Sequence, residues 1–245
     1  MTTNQADPET MNSFRDMARG VARFQDEIYP REQALYRKLV HDGQKPKALM
    51  ISCADSRVIP EMITQCGPGE LFVCRNAGNI VPPFGQRNGG VSSVIEYAVL
   101  ALGVRDIIVC GHSDCGAMGA LLHPEKLEGM PNVAAWLHHS QAAERIVEQT
   151  LRCDAPEEER HCALAKENVV VQINHLRTHP SVAAGLAAGN LTLHGWLFDL
   201  EHGSVLAYDG DTGLFAPMDD DTPPVAVAPR ANVASTSTSL PLAAE

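Results

Sequence analysis

The chain has 245 residues, of which 44% are hydrophobic and 20% charged, which is typical of a soluble globular protein with one domain of ordinary size. Acidic residues outnumber basic ones by 30 to 19, and the formal net charge is −11. Such a surface repels phosphate backbones and anionic lipid headgroups, so we predict no nucleic-acid partner and no membrane partner. No apolar run approaches the roughly 20 residues that a bilayer span needs.

The first residues predict the compartment, and the compartment predicts the state of the cysteines. The N-terminal residues contain no basic stretch followed by an apolar core, so we predict no secretory signal and a cytoplasmic location. Seven cysteines in that compartment are expected to be free thiols or metal ligands, not disulfides.

The chain begins with a predicted helical arm. Residues 12–42 favour two helices separated by Tyr29-Pro30. Apolar residues of the first helix recur at spacings of three and four, which places them on one face: Phe14, Met17, Val21, Phe24 and Ile28. An amphipathic arm of this kind is expected to pack on its own domain or on another subunit.

A pattern of strands and helices follows the arm. Short apolar runs at 47–53, 71–74 and 107–110 predict buried strands of a parallel sheet. Between the last two, residues 91–102 predict a helix that ends at Gly103. This alternation favours an α/β fold with a mostly parallel central sheet flanked by helices.

The second half is predicted to be mainly helical before a hairpin. The predicted helices cover residues 115–122, 131–152, 156–178 and 180–188. Residues 191–200 and 204–208 are strand-like around a short turn, which predicts a C-terminal hairpin. From residue 217 the chain is rich in Pro, Ala, Ser and Thr, so we expect a single domain over 1–216 and a flexible tail over 217–245.

Three potential metal ligands follow predicted strands. Cys53 ends the first strand, and His112 and Cys115 follow the third. Ligands of α/β sheets bind outside the carboxyl ends of the strands, where neighbouring ends converge. Two thiolates and an imidazole suit Zn²⁺ and leave a fourth position for water, substrate or a carboxylate. The spacing alone leaves open a buried core role for Cys53 and a chance His-x-x-Cys pair.

Several segments resemble the β-class carbonic anhydrases. The signature motifs are ISCADSRV at 51–58, RNAGN at 75–79 and CGHSDCGA at 110–117. The similarity runs from about residue 20 to about residue 216, in the family's order and spacing. HLRTHPSV at 175–182 and LHGWLFDL at 193–200 are similar to the bacterial branch that includes the anhydrase encoded beside cyanase.

The resemblance implies a metal site and a mechanism. It places one Zn²⁺ per chain on Cys53, His112 and Cys115, and the family's Asp–Arg dyad on Asp55 and Arg57. Asp55 either pairs with Arg57, which leaves the zinc open, or binds the metal as a fourth ligand and blocks it. In the open state, zinc-bound hydroxide oriented by the dyad attacks carbon dioxide and gives bicarbonate and a proton.

The resemblance also implies a substrate pocket. Gln44 matches an amide that contacts substrate, and Gly116 matches a backbone N–H donor. An apolar wall falls on Phe72, Ala77 and Tyr97. Core packing is the alternative role for Phe72 and Tyr97, and a plain loop amide is the alternative for Gln44.

The family's pocket is completed across a dimer interface. We therefore expect the N-terminal helices of residues 12–42 to pack on a neighbouring subunit. The expected assembly is a homodimer or a larger homo-oligomer with an even number of chains.

Three questions stay open at this stage. Asp114 stands where the family is expected to have a small or amide residue, and we interpret it as a cap of the following helix, with an acidic group near the metal as the alternative. The same fold could instead serve a carbonyl sulfide or carbon disulfide hydrolase. The site could also belong to a non-catalytic zinc scaffold, with Asp55 as its fourth ligand.

Overall fold

The computed structural model describes residues 8–85 and 89–218. They divide into two compact units, the first ending at Gln44 and the second beginning at Lys45. The first unit is helical across the predicted range 12–42. Its elements are α1 (Pro8–Arg23), a π-helical turn (Phe24–Ile28) and α2 (Tyr29–Asp42).

The apolar face of α1 is open to solvent. Phe14, Met17 and Val21 are 70%, 63% and 57% exposed. Their spacing of three and four residues keeps them on one side of the helix, as the sequence predicts. The helical unit itself therefore leaves this face uncovered.

The second unit is built on a six-stranded sheet of order β2-β1-β3-β4-β5-β6. The strands are β1 (Ala48–Cys53), β2 (Leu71–Asn76), β3 (Asp106–His112), β4 (Thr192–Phe198), β5 (Val205–Asp209) and β6 (Leu214–Pro217). The first four in chain order pair in parallel, and β5 and β6 add antiparallel pairs. The predicted mostly parallel sheet and the β4–β5 hairpin are confirmed, whereas β6 is an additional strand.

Seven helices of this unit are described. They are α3 (Pro60–Thr64), α4 (Gly90–Glu96), α5 (Gly116–Leu122), α6 (Pro131–Leu137), α7 (Gln141–Thr150), α8 (Glu157–Leu176) and α9 (Pro180–Ala187). The helix predicted over 131–152 is interrupted by a 3₁₀ turn, His138–Ser140. The buried Ser140 hydroxyl in that turn donates to Asn168 Oδ1 at 2.7 Å, which ties the interruption to α8. Not one of the described helices has the length and apolar character needed to cross a bilayer.

Helix α8 closes the main core against β3 and β4. Its Val169 and Ile173 are buried together with strand residues such as Ile107 and Leu193. Helix α8 can lie close to β4 because Gly195 of this strand has no side chain. A Cβ at this position would lie 2.7 Å from Ile173 Cδ1 and 3.0 Å from Val169 Cγ1.

The strand order creates a switch point beside β1. The chain passes from β1 to β2 on one side and then crosses to β3 on the other. Ser52 of β1 pairs with Cys110 of β3, so the carboxyl ends of the two strands lie side by side. Open α/β sheets bind ligands at such points.

The described residues extend into the first positions of the tail that is predicted over 217–245. The backbone N–H of Met218 donates to the carbonyl of Val205 at 2.9 Å. The rest of the predicted tail, residues 219–245, lies outside the described residues.

Replacing Gly195 by alanine tests the packing of α8. The added methyl group meets Ile173 and Val169 at less than contact distance, so we expect a loss of about 1–3 kcal/mol in the free energy of unfolding, measured by urea denaturation. Gly90→Ala is the control, because a Cβ there meets no described atom within 4 Å. Equal unfolding midpoints for the two variants would show that α8 does not need this close approach.

Candidate metal centre

Cys53, His112 and Cys115 come together at the carboxyl ends of β1 and β3. All three are buried, and their potential ligand atoms lie within 4.8 Å of one another. The two sulfur atoms are 4.0 Å apart. Two sulfurs bound tetrahedrally at about 2.3 Å to one zinc ion would lie about 3.8 Å apart, so the spacing fits a shared metal ion.

The imidazole of His112 is fixed with one nitrogen unused. Nδ1 lies 2.8 Å from the Ser113 carbonyl oxygen, so it carries the proton and donates it. Nε2 is buried and has no hydrogen-bond partner in the described part of the chain. A buried lone pair without a partner is costly, and metal-binding histidines have this same arrangement of one donated and one free nitrogen.

A hydrogen bond joins the two thiols, whose sulfur atoms are 4.0 Å apart. The pKa of Cys53 is lowered, mainly by a hydrogen bond from the Cys115 thiol, with a further donor in the Gly78 N–H at 3.4 Å. Because Cys115 gives this hydrogen bond and is buried, its pKa is raised, although N–H groups of Ala117 and Met118 at the start of α5 oppose the shift. A bound cation would displace the thiol protons and make both sulfurs thiolates.

Asp55 and Arg57 form a bidentate pair next to the cluster. Arg57 Nε donates to Asp55 Oδ1 at 3.0 Å, and Nη2 donates to Oδ2 at 2.9 Å. These hydrogen bonds hold the pKa of Asp55 well below its usual range, so the carboxylate is ionised at neutral pH. Asp55 Oδ2 also lies 3.9 Å from His112 Nε2, which places the carboxylate at the edge of the candidate metal position.

Arg75 holds the end of β1 in place. Its Nε donates to the carbonyl of Cys53 at 3.1 Å, and its Nη2 donates to the carbonyl of Asp55 at 2.7 Å. The RNAGN segment marks this arginine in the sequence, but sequence reasoning missed its contact with the backbone that carries a ligand and the dyad.

Side chains from two helices hold the turn that follows β2. Trp136 Nε1 donates to the carbonyl of Ala77 at 2.9 Å, and Asn168 Nδ2 donates to the carbonyl of Gly78 at 3.0 Å. These contacts fix the peptide whose N–H reaches Cys53 Sγ. Sequence reasoning missed them too.

The interpretation of Asp114 as a helix cap is wrong. Helix α5 is preceded by Cys115 at the N-cap position, with no side-chain cap hydrogen bond. Asp114 instead has a left-handed backbone with φ of +52°, outside the extended region that an N-cap residue adopts. Its Oδ2 accepts a hydrogen bond from Arg57 Nη1 at 2.8 Å.

Comparison with known proteins identifies this arrangement. A family model described as carbonic anhydrase matches residues 48–205, which include the whole cluster. A carbonic anhydrase of Pseudomonas aeruginosa is 51% identical over 205 residues, covering 84% of this chain and 92% of the relative. The solved structure of the β-carbonic anhydrase CcaA superposes with a TM-score of 0.83 at 39% identity, covering 88% of this chain and 95% of that one. The chain belongs to the β-class carbonic anhydrase family.

Other carbonic anhydrases agree with this assignment. Carbonic anhydrase 1 of Escherichia coli O157:H7 is 43% identical over 205 residues, which is 84% of this chain and 92% of the relative. A structure from a report on two tetrameric β-carbonic anhydrases of Sordaria macrospora has a TM-score of 0.72 at 30% identity, covering 84% of this chain and 99% of that one.

The residues predicted for the apolar wall do not all lie together. Phe72 and Tyr97 contact each other, with ring centroids 6.0 Å apart and planes inclined by 43°. Phe72 is four residues before Asn76, the last residue of β2 and the partner of Cys53. At the usual rise of an extended strand, this distance is about 13 Å along the sheet. The aromatic pair is therefore displaced along the strands from the carboxyl edge of its own sheet.

The other predicted substrate residues have different positions. Ala77 directly follows β2, and Gly116 is the first residue of α5, so both lie at the carboxyl edge. Gln44 is exposed and belongs to the N-terminal unit, so its contact with substrate stays a prediction.

An open groove lies along one side of the cluster. Its volume is about 1060 Å³, and Cys115 and Gly116 are among its lining residues together with Arg57 and Asp114. Asp199 to His202, from the β4–β5 turn, line the groove as well.

Loss of one thiol tests the metal centre. Cys53→Ser removes a soft donor from the cluster, so we expect at least a ten-fold loss of metal affinity, measured by competition with a chromogenic chelator. Cys153→Ser is the control, because Cys153 is exposed and lies outside the cluster. Unchanged affinity in the Cys53 variant would contradict a metal centre at this position.

Proposed function

We propose that the chain catalyses the reversible hydration of carbon dioxide to bicarbonate and a proton at a Zn²⁺ ion held by Cys53, His112 and Cys115. The observation that carries this proposal is the buried Nε2 of His112, which has no hydrogen-bond partner among the described residues and lies beside two buried thiols 4.0 Å apart. Membership of the carbonic anhydrase family supports the same activity.

The donor set favours zinc. Two thiolates and an imidazole are soft and borderline ligands, and a set of three protein ligands leaves one tetrahedral position for water or substrate. Zinc bound there would lower the pKa of a coordinated water to about 7 and so supply a nucleophile at neutral pH.

Asp55 and Arg57 are proposed to control the fourth position. While both Asp55 oxygens accept hydrogen bonds from Arg57, the carboxylate is held back from the metal. Its Oδ2 can still accept a hydrogen bond from a water at the fourth position and orient it for attack. Because the pKa of Asp55 is lowered by Arg57, the carboxylate keeps this acceptor role across neutral pH.

The substrate pocket is proposed to form between two copies of the chain. Carbon dioxide is small and uncharged, so an apolar wall with one or two donors suits it. Ala77, Gly116 and Gln44 are assigned to this pocket. Phe72 and Tyr97 lie too far from the carboxyl edge of their own sheet and would serve the site of a second copy.

A homo-oligomer with an even number of chains follows from this arrangement. The exposed apolar face of α1 supports it, because such faces mark protein interaction sites. The Sordaria macrospora structure provides a tetrameric precedent in the family. We propose that the arm of residues 12–42 packs on the neighbouring subunit.

A substrate comparison tests the proposed reaction. The zinc-loaded protein should hydrate carbon dioxide in a stopped-flow assay with a pH indicator. Sulfide release from carbonyl sulfide and carbon disulfide is measured on the same sample. A larger kcat/KM for either sulfur compound would contradict the proposal, as would zinc-loaded protein without any hydration activity.

Replacing Arg57 by alanine tests the dyad. Without the guanidinium, Asp55 Oδ2 loses its partner and can turn to the metal, although the backbone N–H of residue 57 still donates to Oδ1. We therefore expect hydration to fall about 10–100-fold while one zinc per chain remains. Arg145→Ala is the matched control, since it breaks an exposed ion pair with Glu148 outside the site. Full activity of the Arg57 variant would contradict the role of the dyad.

A further inference from the structure

Arg57 has two acidic partners, and the second one suggests a role for Asp114. We infer that Asp114 is a positioning residue, which anchors Arg57 so that its guanidinium can hold Asp55 away from the metal. This inference rests on the proposed role of the Asp55–Arg57 pair and extends it to a residue in a different loop.

All three nitrogens of the Arg57 guanidinium are engaged. Nη1 donates to Asp114 Oδ2 at 2.8 Å, and Nη2 donates to the Asp114 carbonyl at 3.0 Å. Nε and Nη2 carry the bidentate contact with Asp55. Asp55 follows β1 and Asp114 follows β3, so one guanidinium connects the two loops that present the metal-binding side chains.

The contact with Asp114 is expected to favour the open site through orientation. The side chain of Arg57 is 49% exposed, and a free arginine of this exposure populates many rotamers. The Arg57–Asp114 contact can form whether Asp55 is on Arg57 or on the metal, so its energy cancels between the two states. The restriction of Arg57 does not cancel. In a variant without Asp114, the guanidinium is free to move only in the closed state, in which Asp55 has left it for the metal. This added freedom would favour the closed state, so Asp114 favours the open one.

Charge alone predicts the opposite direction. The Asp114 carboxylate weakens the attraction between Arg57 and Asp55, but its side chain is 76% exposed, so water and salt screen this effect. The Asp55 carboxylate is only 17% exposed and accepts two well-aligned hydrogen bonds. We therefore expect the orientation effect to exceed the charge effect.

Two substitutions separate the side chain from its backbone conformation. Asn and Gly both adopt the left-handed conformation that Asp114 has, so D114N and D114G leave the loop unstrained. D114N keeps an acceptor and loses the charge, whereas D114G removes the side-chain anchor and keeps only the contact with the backbone carbonyl. E201Q removes one negative charge from the same groove without touching Arg57 and is the matched control.

Azide binding to the cobalt-substituted enzyme measures the open fraction directly. Azide requires the fourth metal position, so its apparent Kd rises as the open fraction falls, and the visible absorption of Co²⁺ reports binding without any turnover. We expect D114G to weaken azide binding about two- to five-fold, D114N to weaken it less, and E201Q to leave it unchanged. Should D114G not fold, a weakened affinity in D114N is the deciding result.

The outcomes separate this inference from the function on which it rests. Unchanged or tighter azide binding in the Asp114 variants would overturn the positioning role. R57A is titrated in the same series. If R57A binds azide weakly and the Asp114 variants do not, only the positioning role fails; if R57A binds azide like the parent enzyme, the proposed role of the dyad fails.

Discussion

The parallel pairing of β1 and β3 determines where the chemistry of this protein can occur. Cysteine side chains are short, so two thiols can share one metal ion only when their backbones lie close together. Cys53 and Cys115 are 62 residues apart in the chain, yet their sulfurs are 4.0 Å apart because Cys53 ends β1 and Cys115 closely follows β3. The switch in strand order next to β1 leaves this edge free for a ligand site.

Hydrogen bonds from outside the cluster then fix its geometry and charge. Arg75 holds the backbone of the Cys53 loop, and the Gly78 N–H and the first turn of α5 donate to the sulfurs. Two thiolates would give the ligand set two negative charges, which match the charge of a divalent cation. The carboxylates of Asp55 and Asp114 are both paired with Arg57. The donor atoms of the cluster, its burial and its charge therefore all favour a divalent metal ion.

Sequence reasoning reached the parts of this structure that depend on local pattern. The strands around Cys53 and His112 are short apolar runs, and a residue at the end of such a strand has a defined place in an α/β sheet. The ligand set and the dyad came from the family resemblance, since spacing alone left a buried core role for Cys53 open.

The features that sequence reasoning missed depend on contacts between distant residues. The 3₁₀ turn at His138–Ser140 is tied to a helix almost thirty residues away through the Ser140 hydroxyl. Asp114 was misread because its partner, Arg57, is 57 residues earlier in the chain. Phe72 matches a family position, but only the strand register shows that it lies far from the carboxyl ends of the strands that hold the metal ligands of its own chain.

A zinc titration with activity measured on the same samples tests the account most directly. Metal-free protein is loaded stepwise with Zn²⁺, and bound metal and the rate of carbon dioxide hydration are determined at each step. The account predicts a rate that rises in proportion to bound zinc and stops rising at one ion per chain. A rate that does not follow bound zinc, or a protein that binds one zinc per chain and hydrates no carbon dioxide, would contradict it.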